Sequence, residues 1–500
     1  MASWLALALG CARKEPPGAE RIAGERVVGN TEPGPQRAGN RVRGLLGTVG
    51  DNLPFPPDGT RIGSIAWRTW VYTDVGPKRG RYGYLRAGAV VDARGPEIVN
   101  ERCPGGWYRI NPRGFVCRGV GATLDLEHPV VVAGSVRPIR GEGLPYVYAR
   151  AKHGAPFVYY RLPSREEMEA LEGPALWSRI ASFRERLRAE GLEALIGPIG
   201  PPPAFLSVLE KLEKPYGTKR AIEQAGSGER ALPATTGFAL ARAFEWEGRV
   251  FGLTTELEMI GLERLEIVRP SSLRGLRLSE DASLPVAFTM ARTAIRHSPD
   301  PHGNLIPNGV FEHRTPLRLT GRVAPGNLLE LVDGDYVLER AIRRVDPPKE
   351  WPLEARTGRK WIDVSITSQT LVAYEGKRPV YATIVSTGAG GLADPEKSHA
   401  TVRGAFRIYQ KDVSSTMDGE GDDPADSFAL RDVPFVQYFH KGYALHGTYW
   451  HDGFGTPRSH GCVNLSPVDA AWLFEWTDPA VPPDWHGAVS DAGTAVHVRP

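Results

Sequence analysis

The stretch that decides the fold and chemistry of the C-terminal part is residues 446–464, which read HGTYWHDGFGTPRSHGCVN. It concentrates three histidines, a cysteine and a serine between glycines. A cysteine attacks a carbonyl only as its thiolate, so it needs a nearby base or cation and donors for the oxyanion that forms. His446 ends an apolar stretch and returns to Cys462 if the Gly-rich stretch between them is a loop. The segment predicts a catalytic pair, with Gly461 permitting a tight backbone and the amides of Gly461 and Cys462 as oxyanion donors.

The hexapeptide Ser459-His-Gly-Cys-Val-Asn464, with His446-Gly upstream, resembles the signature of the L,D-transpeptidase (YkuD-type) catalytic domain. The resemblance covers about residues 360–500. One departure is Thr401-Val-Arg-Gly404, where similar domains often have Thr-Pro before the glycine. The other segments that resemble the family are 361–364, 386–388, 404–408 and 465–470.

The resemblance implies a role for each residue of the motif. Cys462 would be the nucleophile, and His446 would be the general base that later protonates the leaving amine. Ser459 would support the site by hydrogen bonding rather than attack. His451 matches no family position and is expected to be a loop residue. The residues that would shape the site, supply oxyanion donors or fix the loop are Ser459, His460, Gly461 and Asn464; substrate-binding residues are not identified.

The reaction implied by the resemblance is acyl transfer in two steps. Cys462 would attack the carbonyl of the third residue of a peptidoglycan stem peptide, usually diaminopimelate, and expel the terminal D-alanine. The thioester would then pass to the side-chain amine of a second stem or to a lysine-bearing cell-wall protein, as part of cell-wall biogenesis and the maintenance of cell shape. Water as acceptor would make the enzyme an L,D-carboxypeptidase. No cofactor and no metal are expected.

Three other interpretations of the segment are less consistent with its residues. The residues His446, His451, His460 and Cys462 could ligate zinc, but their spacing matches no common ligand pair. A cell-wall binding protein with an inactive catalytic domain is disfavoured by the intact pair of His446 and Cys462. A papain-like protease is disfavoured because no Gly-Ser-Cys-Trp-type context surrounds the cysteine.

The length and composition limit the number of domains and the classes of partner that the chain can have. A chain of 500 residues predicts two to four domains. A formal charge of +3 does not suggest a nucleic-acid partner, and no apolar run reaches the roughly 20 residues of a spanning helix. We expect a mainly β, multi-domain protein whose C-terminal catalytic domain, at 359–500, is β-sandwich-like.

The N-terminal segment indicates export. Residues 1–11 are apolar and end in Cys11, as in a lipoprotein-type signal whose cysteine becomes acylated. Residues 12–60 are rich in Pro, Gly, Arg and Glu and predict a disordered tether. The expected location is the periplasm or cell envelope, with membrane attachment only through this lipid.

Short β-type runs that alternate with glycine between 61 and 125 resemble a bacterial SH3-like barrel. Cys103 and Cys117 flank a predicted hairpin there, so a disulfide is a candidate, with two buried thiols as the alternative. Residues 126–345 predict further small β modules that serve as spacers, with cell-wall binding as the alternative. A helical insert at about 164–213 opens on a capping box at Ser164. Acidic residues between 411 and 432 predict a solvated loop, with a lid over the site as the alternative.

Overall fold

The computed structural model describes residues 58–141, 143–152, 156–211, 236–279, 283–419 and 428–500. The expected signal at 1–11, its Cys11 and nearly all of the tether at 12–60 lie outside the described residues. The described part is mainly β and is built from several sheets, as the sequence predicts. Within it, no helix is both long and apolar enough to cross a bilayer.

The first module is a set of short antiparallel strands with an apolar interior. Cys103 and Cys117 join its hairpin through a disulfide with a Cα–Cα distance of 5.7 Å. Both cysteines pack with Trp107 in a small cluster at one side of the module. The strands are β1 (Arg61–Ser64), β2 (Thr69–Tyr72), β3 (Arg81–Leu85), β4 (Val90–Asn100), β5 (Cys103–Ile110), β6 (Phe115–Cys117) and β7 (Ala122–Thr123).

The second module combines strands with the predicted helical insert. Ser164 caps its helix by accepting from the Glu167 amide, while the Glu167 side chain returns to the Ser164 amide. The helices α1 to α4 are Pro129–Ala133, Arg165–Glu172, Leu176–Ala189 and Glu193–Ile196, and 3-10 turns lie at Ala204–Lys211 and Leu262–Arg264. The strands are β8 (Val147–Ala151), β9 (Val158–Tyr159), β10 (Ile199–Gly200), β11 (Gly237–Trp246), β12 (Arg249–Thr254), β13 (Met259–Gly261) and β14 (Leu265–Ile267).

The third module is a small antiparallel sheet, which follows the two-residue strand β15 (Leu276–Arg277). Its core is formed by leucines and small apolar residues, among them Leu317 and Leu331. The strands are β16 (Val286–Thr289), β17 (Thr293–Pro299), β18 (Leu305–Glu312), β19 (Pro316–Ala324), β20 (Leu328–Leu331), β21 (Tyr336–Leu338) and β22 (Ile342–Val345), with a 3-10 turn at Glu339–Ala341. We call these three units the accessory modules.

The C-terminal domain places its main core between two layers of strands. Alternation along the first strand sends Ile362 and Val364 into this core, where they meet Leu445 and Val463 from the second layer. The helices are α5 (Leu353–Arg356) and α6 (Pro467–Trp476), and Phe474 of α6 packs in the same core. The strands are β23 (Lys360–Ser365), β24 (Thr370–Glu375), β25 (Arg378–Ile384), β26 (Gly404–Arg407), β27 (Gln410–Gly419), β28 (Phe428–His440), β29 (Tyr443–Gly447), β30 (Val463–Leu465), β31 (Gly487–Val489) and β32 (Ala495–Arg499).

Strands of the accessory modules extend the sheets of the C-terminal domain. β3 pairs with β31, β11 pairs with β28, and β15 pairs with β25. At the first junction a Cβ on Gly83 would lie 2.0 Å from the Gly487 carbonyl oxygen, so the close approach of the two backbones requires glycine. The first two accessory modules are therefore joined to the C-terminal domain by hydrogen-bonded strands, whereas the third has a separate sheet and only β15, which precedes it, pairs with that domain.

The acidic segment between 411 and 432 is not a solvated loop throughout, which corrects the expectation for this region. Its described ends are the paired strands β27 and β28. Asp412 and Asp432 are both fully buried. Their carboxylates are held by hydrogen bonds, which is the condition under which a charged group tolerates burial.

Candidate active site

Two neighbouring parallel strands bring the predicted catalytic residues together. In the register of β29 and β30, Leu445 lies beside Val463 and His446 lies beside Asn464. Leu445 and Val463 point into the main core, so His446 and Asn464 share the opposite face of the sheet. Cys462 directly precedes β30 and packs with Ala444 in a different cluster, on that opposite face. By this register Cys462 lies two positions from His446 along the strand pair, so the predicted base and nucleophile are diagonal neighbours on the same face.

The tautomer of His446 follows from its hydrogen bond. Its Nδ1 lies 3.0 Å from the Gly447 carbonyl oxygen, which can only accept, so Nδ1 carries the proton and Nε2 carries the lone pair. Burial lowers the pKa of His446 to about 4, although the bond to Gly447 opposes the shift. The imidazole is therefore neutral at pH 7 and can take a proton at Nε2.

Cys462 is fully buried, and its sulfur lies 3.7 Å from the Gly442 carbonyl oxygen. The residue is disulfide-bonded in the structure, so its sulfur carries no titrating proton. A disulfide sulfur cannot act as the attacking thiolate. The chemistry considered below is therefore that of the reduced residue.

Ser459 holds the backbone on both sides of Gly461. Its Oγ donates to the Cys462 carbonyl oxygen at 2.5 Å and accepts from the Gly461 amide at 3.1 Å. Gly461 has φ +128°, and a Cβ there would lie 2.6 Å from the Tyr443 ring. Glycine is required at this position for both reasons. Because its amide is bonded to Ser459, Gly461 does not present an oxyanion donor in this arrangement.

Asn464 is linked to a residue for which the sequence suggested no role. One terminal atom of its amide lies 2.9 Å from Nε2 of His451, whose Nδ1 accepts from the Gly453 amide at 3.2 Å. Since a neutral imidazole with an accepting Nδ1 carries its proton on Nε2, the Asn464 oxygen must face His451. Burial lowers the pKa of His451 to about 3, which keeps it in this neutral form. His451 is thus a hydrogen-bonding loop residue that orients Asn464.

The predicted turn at 386–388 is joined to the hexapeptide 459–464 by backbone hydrogen bonds. Ser386 exchanges backbone hydrogen bonds with Asn464 at 2.8 and 2.9 Å. The Thr387 carbonyl accepts from the amides of Arg458 and Ser459, and Gly388 forms a bridge with Ser459. The turn therefore fixes both ends of the hexapeptide.

His460 lies apart from this network, near the surface. Its ring is 3.8 Å from the ring of exposed His399. Burial, followed by repulsion from His399, lowers the pKa of His460 to about 3. His460 is therefore neutral at pH 7 and lines the region beside the nucleophile.

Sequence reasoning missed the contribution of the accessory modules to the site. Tyr146 and Tyr148 of the second module join the cluster that contains Cys462, and the Tyr148 ring lies 4.3 Å from that of Tyr449. The alternation of tyrosines in 146–148 predicts a strand with an aromatic face, but nothing local identifies what that face covers. Their position next to Cys462 depends on contacts between segments far apart in the sequence.

The zinc interpretation finds no support in the arrangement of side chains. Across the described residues, no group of three or more His, Cys, Asp or Glu side chains is placed to hold a metal ion. His446, His451, His460 and Cys462 do not form such a group.

The match to a family model settles what kind of domain carries this site. The model for the L,D-transpeptidase catalytic domain (YkuD) matches residues 359–498. These residues belong to that family. The resemblance inferred from the hexapeptide is thus confirmed for the C-terminal part, which we now call the transpeptidase domain.

Individual relatives match part of the chain. The "Putative L,D-transpeptidase YciB" of Bacillus subtilis (strain 168) is 29% identical over an alignment of 133 residues, and the match covers 23% of this chain and 59% of that protein. The L,D-transpeptidase of Xylanimonas cellulosilytica is 26% identical, with 31% of this chain and 64% of that chain covered and a TM-score of 0.21. The L,D-transpeptidase of Mycobacterium smegmatis is 18% identical, with 47% of this chain and 89% of that chain covered and a TM-score of 0.23. The chain thus spans 59% of the length of the curated relative it matches.

Proposed function

We propose that this protein is an L,D-transpeptidase that joins peptidoglycan stem peptides through a thioester on Cys462. The observation that carries the proposal is the register of β29 and β30, which makes neutral His446 and Cys462 diagonal neighbours on one face. Diagonal neighbours on adjacent strands lie about 7–8 Å apart, within reach of aromatic side chains. The family match over 359–498 supports the same assignment.

The first half-reaction forms the acyl-enzyme. His446 Nε2 takes the thiol proton of reduced Cys462, and the thiolate sulfur attacks the carbonyl of the third stem residue. Collapse of the tetrahedral intermediate breaks the amide bond, and the His446 imidazolium gives its proton to the departing D-alanine nitrogen. The products are a thioester on Cys462, D-alanine and neutral His446.

The second half-reaction transfers the acyl group. The side-chain amine of another stem attacks the thioester, His446 accepts the amine proton, and the proton returns to the Cys462 sulfur as it leaves. An L,D-carboxypeptidase remains the second candidate, since water can complete the same cycle, and a lysine-bearing envelope protein is a further acceptor.

The proposal places the protein in the periplasm or cell envelope, where stem peptides are found. Incubation of the reduced full-length protein with tetrapeptide stems, followed by mass spectrometry, tests the reaction. We expect loss of D-alanine together with a dimer joined by a new amide bond. Loss of D-alanine with addition of water alone would assign the carboxypeptidase, and unchanged stems would contradict both.

A further inference from the structure

The loop between His446 and Cys462 is not held by the transpeptidase domain alone. Between β29 and β30 it contains no helix or strand, so contacts with its surroundings determine its position. Its second half is held mostly within the domain: the Gly455 amide donates to Val385, and Arg458 and Ser459 bind the turn at 386–388. The third module adds one bond there, from Arg343 Nη2 to the Gly455 carbonyl oxygen at 3.3 Å. Its first half has fewer such bonds and lies against the accessory modules.

Arginines from two accessory modules bind this first half. Arg150 of β8 donates through Nη1 to the Trp450 carbonyl oxygen at 2.9 Å. Arg314 of the third module donates through Nη1 to Oδ1 of Asp452 at 2.6 Å and through Nη2 to the Asp452 carbonyl oxygen. The loop residues thus contacted, Trp450 and Asp452, flank His451, which binds Asn464.

Both arginines are themselves held in place. Arg150 binds Glu266 of β14 through Nη2 at 2.8 Å, which leaves Nη1 aimed at Trp450. Arg314 has φ +65°, an unfavourable conformation for a residue with a Cβ, and its side chain is only 10% exposed. Its amide donates to the Thr289 carbonyl oxygen at 2.8 Å. Arg314 thus donates from both terminal nitrogens to one loop residue. Lysine has a single nitrogen and cannot reproduce this two-point contact.

Movement of this loop would reach the catalytic residues directly. The Trp450 ring lies 5.7 Å from the His446 ring, and His451 binds Asn464. We propose that Arg314 and Arg150 are positioning residues that hold the loop so that His446 and Asn464 keep their places beside Cys462. The accessory modules, expected from the sequence to be spacers, then complete the active site. The catalytic part of this inference rests on the proposed function.

The test compares Arg314→Ala with Arg296→Ala in the reduced full-length protein. Arg296 is a matched control, because it also binds a backbone carbonyl and a carboxylate, those of Asn308 and Asp335, but inside its own module. Two quantities are measured: hydrogen exchange of the amides in 447–461, and the rate constant for acylation of Cys462 by a carbapenem. We expect Arg314→Ala alone to increase exchange in the loop and to slow acylation about 10- to 100-fold. Arg314→Lys should recover only part of the loss.

Several results would overturn the inference. One is equal loop exchange and equal acylation rates in Arg314→Ala and Arg296→Ala. Another is an Arg314→Ala protein of which a smaller fraction reacts, but at the wild-type rate, as after a folding defect. If Arg314→Ala does not fold, Asp452→Ala takes its place, because it removes the carboxylate that Arg314 binds. This variant should also increase loop exchange and slow acylation, but less than Arg314→Ala. Failure of the wild type to react would count against the proposed function, whereas loop exchange would still decide the positioning role.

Discussion

A buried ion pair between the first module and the transpeptidase domain offers a quantitative test of how the modules are joined. Arg86 binds both carboxylate oxygens of Asp432, which also accepts from Ser414 at 2.7 Å and from Thr255 of the second module. Burial alone would raise the pKa of Asp432, but the charge and hydrogen bonds of Arg86 lower it to about 2. Three units of the chain thus meet at one carboxylate.

Arg86→Met removes the charge while keeping an apolar stem. Loss of one member of a buried pair typically costs about 3–5 kcal/mol, because the other charge remains without compensation. The bonds from Ser414 and Thr255 survive, so we expect the lower end, about 3 kcal/mol. Urea unfolding, followed by tryptophan fluorescence, measures the change.

Arg137→Met is the control for this variant. Arg137 pairs with Asp484 at 3.0 Å, but both side chains are exposed, at 39% and 59%, so we expect a loss of at most about 1 kcal/mol. The difference in free energy of unfolding between the wild type and Arg86→Met should also become smaller as the pH falls below about 4. Asp432 with its lowered pKa contributes stability above the unfolded-state value of about 3.9, and that contribution is lost as the pH falls towards 2. Equal stability of Arg86→Met and Arg137→Met at pH 7 would refute this account of the junction.

Three further predictions follow from single residues. His446→Ala should slow acylation of Cys462 by about 10²–10⁴-fold without loss of fold, measured by stopped-flow mass spectrometry; a wild-type rate would exclude it as the base. His486→Gln should reduce by about 2 kcal/mol the loss in free energy of unfolding that occurs between pH 7 and pH 5. Burial lowers the pKa of His486 to about 3, so in this pH range the unfolded chain binds a proton at this residue and the folded chain does not. Identical pH profiles of urea unfolding for the variant and the wild type would contradict this. Peptide mapping without reductant should recover Cys103 linked to Cys117, whereas two alkylated thiols there would refute the disulfide.

The sequence predicted those parts of the site that depend on local order. The apolar stretch that ends at His446 and the glycine-rich segment after it were the basis for predicting that His446 returns to Cys462, and the strand register puts the two residues on one face of the sheet. The capping box at Ser164 is also local, since its hydrogen bonds join Ser164 to Glu167, three residues later. Such features can be predicted from the residue types next to them in the sequence.

Contacts between distant segments could not be predicted in the same way. The bond from Arg150 to Trp450 spans 300 residues, and that from Arg86 to Asp432 spans 346. An arginine in a strand gives no sign of whether it faces solvent or another module. For the same reason the acidic segment predicted a solvated loop, although Asp412 and Asp432 are buried by partners from elsewhere in the chain.

The central claim is that Cys462 is the nucleophile, and labelling by a carbapenem together with cross-linking tests it most directly. Reduced wild-type protein and Cys462→Ala are each incubated with the drug or with tetrapeptide stems, and intact protein and products are weighed. We expect one drug mass added to Cys462 and cross-linked stems with the wild type, and neither with the variant. Cross-links made by Cys462→Ala, or a drug adduct on another residue, would contradict the account.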